Sequence, residues 1–238
     1  MILKMKRIVI SFSLFILLIP AKAQMPLIAK DTVLTPDAGD KDWVMCEIFT
    51  TNGALYQKGY LFKNKRMGVW RTWNAFQRVA SIEEYRYGVL HGVRYTADQN
   101  GYFESEENYV NGKLHGKRTK WLYGSMTNLE ENYVNGLLDG ERKVFYENGH
   151  PQEEAMYKNG KRDGVSKWFY DTGLVSIQYT YKNGVLHGPA QTFSRTGKLQ
   201  SEGNFENDLE QGEWKEYDDD GKIKRTIIYD KGKVVREF

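Results

Sequence analysis

A single phrase, Tyr-Val-Asn-Gly-Lys-Leu-His-Gly at Tyr109 to Gly116, returns along this chain at a fixed step of 24 residues. Three glycine columns hold that register. The first contains Gly88, Gly112, Gly136, Gly160, Gly184 and Gly232, with Asn64 and Asp208 standing in at two places. The second runs unbroken from Gly68 to Gly212, and the third includes Gly53, Gly101, Gly149, Gly173, Gly197 and Gly221. These columns account for 19 of the 23 glycines, so the glycine content follows from the repeat. A sustained period in the range of about 20 to 50 residues marks a chain of stacked supersecondary units.

Within each period two runs of polar and apolar residues are separated by two different turns. The runs are short for helices and suited to strands. Seven Asn-Gly pairs mark the turns, at Asn52, Asn100, Asn111, Asn135, Asn148, Asn159 and Asn183. Asn and Gly both accept the positive φ that a tight hairpin turn requires, so each pair signals a chain reversal. Two reversals per period predict an all-β fold: an elongated single-layer antiparallel β-meander built from tandem 24-residue hairpin repeats. Counted from Trp43, about 17 strands are expected, coiled by the twist between neighbours.

Two aromatic columns accompany the glycines. Tyr85, Tyr109, Tyr133, Tyr157, Tyr181, Phe205 and Tyr229 precede the turn between repeats, while Phe49, Trp73, Trp121, Phe145, Phe169, Phe193 and Tyr217 form the other. They are expected to hold the sheet together, and their exposed members, led by Trp73, Trp121, Tyr133 and Tyr157, are the candidate partner-binding residues. Arg94 is expected to face Glu107, and Arg118 to face Glu131, as cross-strand pairs on a mostly solvated face.

The start of the chain has a different character. Lys4, Lys6 and Arg7 precede an apolar run from Ile8 to Pro20, and Ala21-Lys22-Ala23 has the form of a cleavage signal. Residues 1–23 are therefore expected to be a signal peptide, 24–42 a flexible tether rich in Pro, Gly and charge, and 43–238 the repeats. Export to a periplasm or the outside follows as the expected localisation. The leader carries four of the 34 basic residues and none of the 31 acidic ones, so the chain beyond it is nearly neutral. That balance offers no electrostatic footprint for nucleic acid. Cys46 is the sole cysteine, which excludes an intrachain disulfide and suits a small packed residue in the first strand of the repeats.

The phrases Tyr157-Lys-Asn-Gly-Lys-Arg-Asp-Gly164 and Tyr181-Lys-Asn-Gly-Val-Leu-His-Gly188 resemble MORN repeats, in the variant form common in bacterial proteins. The resemblance covers about Trp43 to Phe238, with a step one residue longer than the family's usual one. It implies a scaffold, a lipid-proximal module or a protein-interaction platform. Some bacterial members are labelled antitoxins, whereas an exported chain would be parted from a cytosolic toxin.

The search for chemistry returns no catalytic pattern. His91, His115 and His187 share a column with Asp139 and Asp163, but equivalent positions two strands apart lie about 10 Å from each other, too far to share one ion. Asp218-Asp219-Asp220-Gly221 lacks calcium-loop spacing and reads as a turn. Glu106, Glu130, Glu154 and Glu202 have the same wide step, and a ribbon offers no cleft. The expectation is a non-enzymatic chain with no cofactor and no metal. A protein partner is expected first, a cell-wall glycan or membrane surface is the alternative, and the free sheet edges allow self-association.

Overall fold

The computed structural model describes residues 8–10 and 29–238. The expected cleavage site at Ala21 to Ala23 lies outside the described residues, as do residues 24–28 of the expected tether. No described helix is long and apolar enough to cross a membrane. The described residues form two compact bodies, divided between Lys113 and Leu114.

The first body contains β1 (Ile8–Ile10), β2 (Ala29–Pro36), β3 (Trp43–Thr50) and β4 (Leu55–Phe62). It continues with β5 (Lys65–Trp73), β6 (Val79–Arg86), β7 (Val89–Ala97) and β8 (Phe103–Val110). The second body takes up the chain within β9 (Lys113–Leu122), followed by β10 (Met126–Val134), β11 (Leu137–Leu138), β12 (Gly140–Phe145) and β13 (Pro151–Lys158). Then come β14 (Lys161–Phe169), β15 (Val175–Lys182), β16 (Val185–Phe193) and β17 (Leu199–Glu206). The last are β18 (Leu209–Tyr217), β19 (Ile223–Asp230) and β20 (Lys233–Glu237). Counted from Trp43, with β11 and β12 taken as one interrupted strand, there are 17, and inside each body sequence neighbours pair antiparallel. The fold is the all-β meander of tandem hairpins that the period implies.

The tether expected at 24–42 is corrected over its second part. Ala29–Pro36 is a strand, β2, with Leu34 opposite Cys46 and Val33 opposite Glu47, and β1 pairs in turn with its other edge. Asp37 then closes the turn into β3, its Oδ1 accepting from the Gly39 N–H at 2.8 Å. The β-branched Thr32, Val33 and Thr35, followed by an Asx turn, extend the sheet here, although the 24-residue phrase is absent.

The turn between repeats is only two residues long. Asn111 and Gly112 have φ of 50° and 77°, the doubly positive geometry of a type I′ turn. Successive turns are tied together: the Gly112 N–H donates to the Leu90 carbonyl at 2.8 Å, and the Gly184 N–H donates to that of Arg162 at 2.8 Å. The second glycine column is not part of the turn. Gly92, Gly140, Gly164 and Gly188 lie within or at the start of strands with φ from 109° to 115°, next to register shifts of the ladder. Each marks an enlarged bulge, where the glycine-bearing strand takes two extra residues, as between Arg162 and Ser166 opposite Tyr157 and Ala155, and the glycine adopts a conformation that other residues rarely reach.

The histidine column has a structural use. Asp163 Oδ2 accepts from the Asn183 N–H at 3.0 Å and Asp139 Oδ2 from Asn159 at 3.1 Å. His91 and His115 do the same through Nδ1 for Asn111 and Asn135, both at 3.4 Å. The column supplies an acceptor for the next repeat's turn, 20 residues on, rather than for its own.

Candidate functional site

With one layer of strands, and apart from Thr50, Gln57, Ser105 and Thr119, the buried side chains of each body fall on a ladder across the middle of its strands. Its central positions are spaced by 11 and 13 residues alternately, as at Arg118, Glu131, Arg142 and Ala155, because facing positions on successive strands are joined through one turn and then the other; side chains farther along each strand flank them. In the first body Arg94 joins Glu83 at 3.1 Å and Glu107 at 3.2 Å. In the second body Arg118 and Arg142 hold Glu131 between them at 3.2 and 3.1 Å, and Glu153 is bridged by Arg142 and Arg162. Both expected cross-strand pairs are therefore present. The expectation of a solvated face is corrected, since Glu107 and Glu131 are only 7% and 6% exposed. Charges can sit so deep in a single layer because flanking side chains cover them and each carboxylate keeps several donors.

The tyrosine column completes this network. Tyr109 donates its hydroxyl to Glu107 and Tyr133 donates to Glu131, each at 2.8 Å. Burial first, and then the bond to the carboxylate, push both phenols above the ordinary tyrosine value. Burial opposes the charge on Arg142, but Glu153 and Glu131 outweigh it and hold the guanidinium above its usual value.

Arg162 ends the charged part of the ladder in the second body. Its guanidinium lies 4.9 Å from the Trp168 ring centre, 5.5 Å from Tyr181 and 5.7 Å from Tyr157. Beyond it the ladder turns aromatic. Trp168, Tyr179, Phe205, Trp214 and Tyr229 form an unbroken edge-to-face series with centroid separations of 6.0, 5.7, 5.1 and 6.2 Å. All five rings are half-buried.

Two glycines outside the three columns explain how tryptophan fits. A Cβ on Gly203 would lie 2.1 Å from Trp214 Cδ2, and one on Gly59 would lie 2.3 Å from the same atom of Trp70. Each indole therefore lies flat on the glycine eleven residues before it. Each also donates its N–H to the following carbonyl, of Asn204 and Tyr60 respectively, at 3.1 Å.

The four residues singled out from the sequence are divided by the structure. Tyr133 and Tyr157 belong to the ladder, one bonded to Glu131 and the other beneath Arg162. Trp73 and Trp121 are half-buried and make no ring contact among the described residues. Sequence reasoning missed Tyr179 and Trp214, which stand in neither aromatic column, although the unassigned Gly203 eleven residues before Trp214 was a usable signal. Among the described residues no group of three His, Cys, Asp or Glu side chains could hold a metal ion.

Fold and ladder together define a class: an antiparallel hairpin-repeat protein with a side-chain ladder along its strands and a broad sheet face. In a comparison with protein families, the MORN repeat variant matches in four tandem copies, at residues 138–159, 162–183, 186–207 and 210–231. No curated protein shows significant similarity to the chain.

Proposed function

We propose that this chain is an exported, non-enzymatic repeat module that engages a protein partner through the aromatic part of its ladder. The observation that supports this reading is the series Trp168, Tyr179, Phe205, Trp214 and Tyr229, half-exposed on one face with no second layer of the same body packed over it. Rings this large normally face a second layer, and a binding partner supplies one. Equivalent contacts repeated along a sheet add as multivalent binding, so no single deep pocket is required. MORN repeats in general serve protein or membrane interaction, which agrees with a binding role. The expected leader at residues 1–23 would place the encounter at the cell envelope.

The test is crosslinked capture from the envelope fraction with the chain starting at Gln24, followed by variants. Tyr179→Ser and Trp214→Ser should each weaken capture of the recovered protein at least tenfold, with Trp73→Ser and Trp121→Ser as controls that do not. Equal loss in all four, or loss in none, overturns the aromatic site. Recovery of lipid or wall polymer alone would transfer the role to a membrane or glycan surface.

A further inference from the structure

The second body carries two depressions on the face opposite the ladder. One, of about 310 Å³, is walled by Pro189 and Glu213 on one side and by Gln191, Glu202 and Lys215 on the other, with Asn204 at its end. The second, of about 370 Å³, is walled by Glu141 and Val165 and by Glu154, Lys167 and Gln178, with Met156 at its end. Their facing is fixed by strand alternation. Trp214 covers the side of Gly203 where a side chain would project, so Glu202 and Asn204 point the other way. Ala155 is 1% exposed on the ladder between Arg142 and Ser166, which turns Glu154 and Met156 outward by the same rule.

The depressions are copies of each other. Glu154, Met156 and Lys167 in one correspond to Glu202, Asn204 and Lys215 in the other, each 48 residues apart, or two repeats. Four strands at about 4.8 Å place them about 19 Å apart. Each offers carboxylate acceptors beside ammonium and amide donors, with the charges nearly balanced. In the first, the carboxylate is already oriented: Tyr217 donates to Glu202 Oε1 at 2.7 Å and Gln191 Nε2 to Oε2 at 3.3 Å. Those bonds, and Lys215 nearby, hold Glu202 below the usual carboxylate range, so it stays an acceptor. Both volumes fall at the lower end of small-ligand sites.

We propose that the two depressions are paired subsites for one neutral, linear, polyhydroxylated polymer, a polysaccharide strand lying across β12 to β18. Alternating acceptors and donors match hydroxyl groups, which give and receive hydrogen bonds. The near-balance of charge disfavours strongly ionic ligands, and Val165, Met156 and Pro189 supply apolar contact for C–H faces. A single open depression binds weakly. Occupying both with one strand makes the second contact intramolecular.

The experiment is amide-resolved NMR titration of the chain with disaccharides and hexasaccharides of β-linked glucose, N-acetylglucosamine and mannose. For at least one sugar, the hexamer should bind ten times or more tighter than the dimer, with shifts at residues lining both depressions. Glu154→Ala and Glu202→Ala, each checked for an unchanged circular dichroism melt, should each bring the hexamer down to the affinity of the dimer. Equal affinity for dimer and hexamer, no shift with any of the six sugars at millimolar concentration, or shifts concentrated on the Trp168 and Trp214 indoles would overturn the proposal. The protein-partner reading is untouched by its failure, since that reading rests on the other face.

Discussion

Gly59 and Trp70 give the most direct test of how this single layer is held together. Trp70 is 2% exposed, the largest side chain so completely covered among the described residues, and its ring lies where a Gly59 side chain would be. A Cβ there would meet Cδ2, Cε2 and Cγ of the indole at 2.3 to 2.5 Å, so the ring must move by an ångström or more. The backbone itself is not the obstacle, because Gly59 is not among the positive-φ residues. Overpacking of this kind costs about 1 to 3 kcal/mol, and loss of the indole bond to Tyr60 adds about 1 to 3 more if the N–H stays buried. Gly59→Ala should therefore destabilise the chain by about 2 to 6 kcal/mol. In a Trp70→Ala background the same substitution should cost nothing, or stabilise by about 0.5 to 1 kcal/mol through the unfolded chain. The double-mutant cycle, measured by urea unfolding with circular dichroism and fluorescence read together, should thus show coupling above about 2 kcal/mol. Coincidence of the two probes matters, because repeat arrays can unfold in stages. An equal cost of Gly59→Ala in both backgrounds would refute the reasoning. Gly203→Ala should show the weaker coupling, since the half-buried Trp214 can swing outward.

Three further outcomes follow from the ladder. Ser166 is fully buried and its hydroxyl has no hydrogen-bond partner, so Ser166→Ala should leave stability unchanged or raise it by up to about 1 kcal/mol in thermal melts, whereas a buried serine with a hidden partner would lose that much. Arg142→Met removes the bridge between Glu131 and Glu153 and should cost about 1 to 3 kcal/mol, read as a shift in urea midpoint; adding Glu153→Gln, which takes away one of the two carboxylates left short of a cation, should recover part of the loss. The raised phenols of Tyr109 and Tyr133 favour the neutral hydroxyl in the folded chain, so the stability they add is present below the ordinary tyrosine value of about 10 and is lost as pH rises beyond it. Phenylalanine at both positions should reduce stability by about 0.5 to 1.5 kcal/mol per site at neutral pH and flatten the alkaline decline.

What was legible in the sequence was whatever local backbone chemistry dictates. Asn-Gly pairs demand positive φ wherever they stand, so the turns, the antiparallel order and the strand number could be read directly, and the pairing of Arg94 with Glu107 followed from them. The candidate site was legible only in part. Tyr133 and Tyr157 were placed by their column, but Trp73 and Trp121 share that regularity without joining the ladder. Tyr179 and Trp214 join it without sharing the regularity.

The reason lies in how burial arises. A period of 24 aligns each residue with its equivalent two strands away, whereas the contacts that bury a side chain are made to the adjacent strand, 11 or 13 residues off. Glycine at 59 and 203 with tryptophan at 70 and 214, or glutamate at 107 and 131 with arginine at 94 and 118, are partnerships across that shorter offset. The sequence by itself determined the turns and the period. Only the folded sheet decided which charges are buried, that Ala29–Pro36 joins it as a strand, and where the aromatic face lies, because each depends on neighbours that the bulges and turns bring into register.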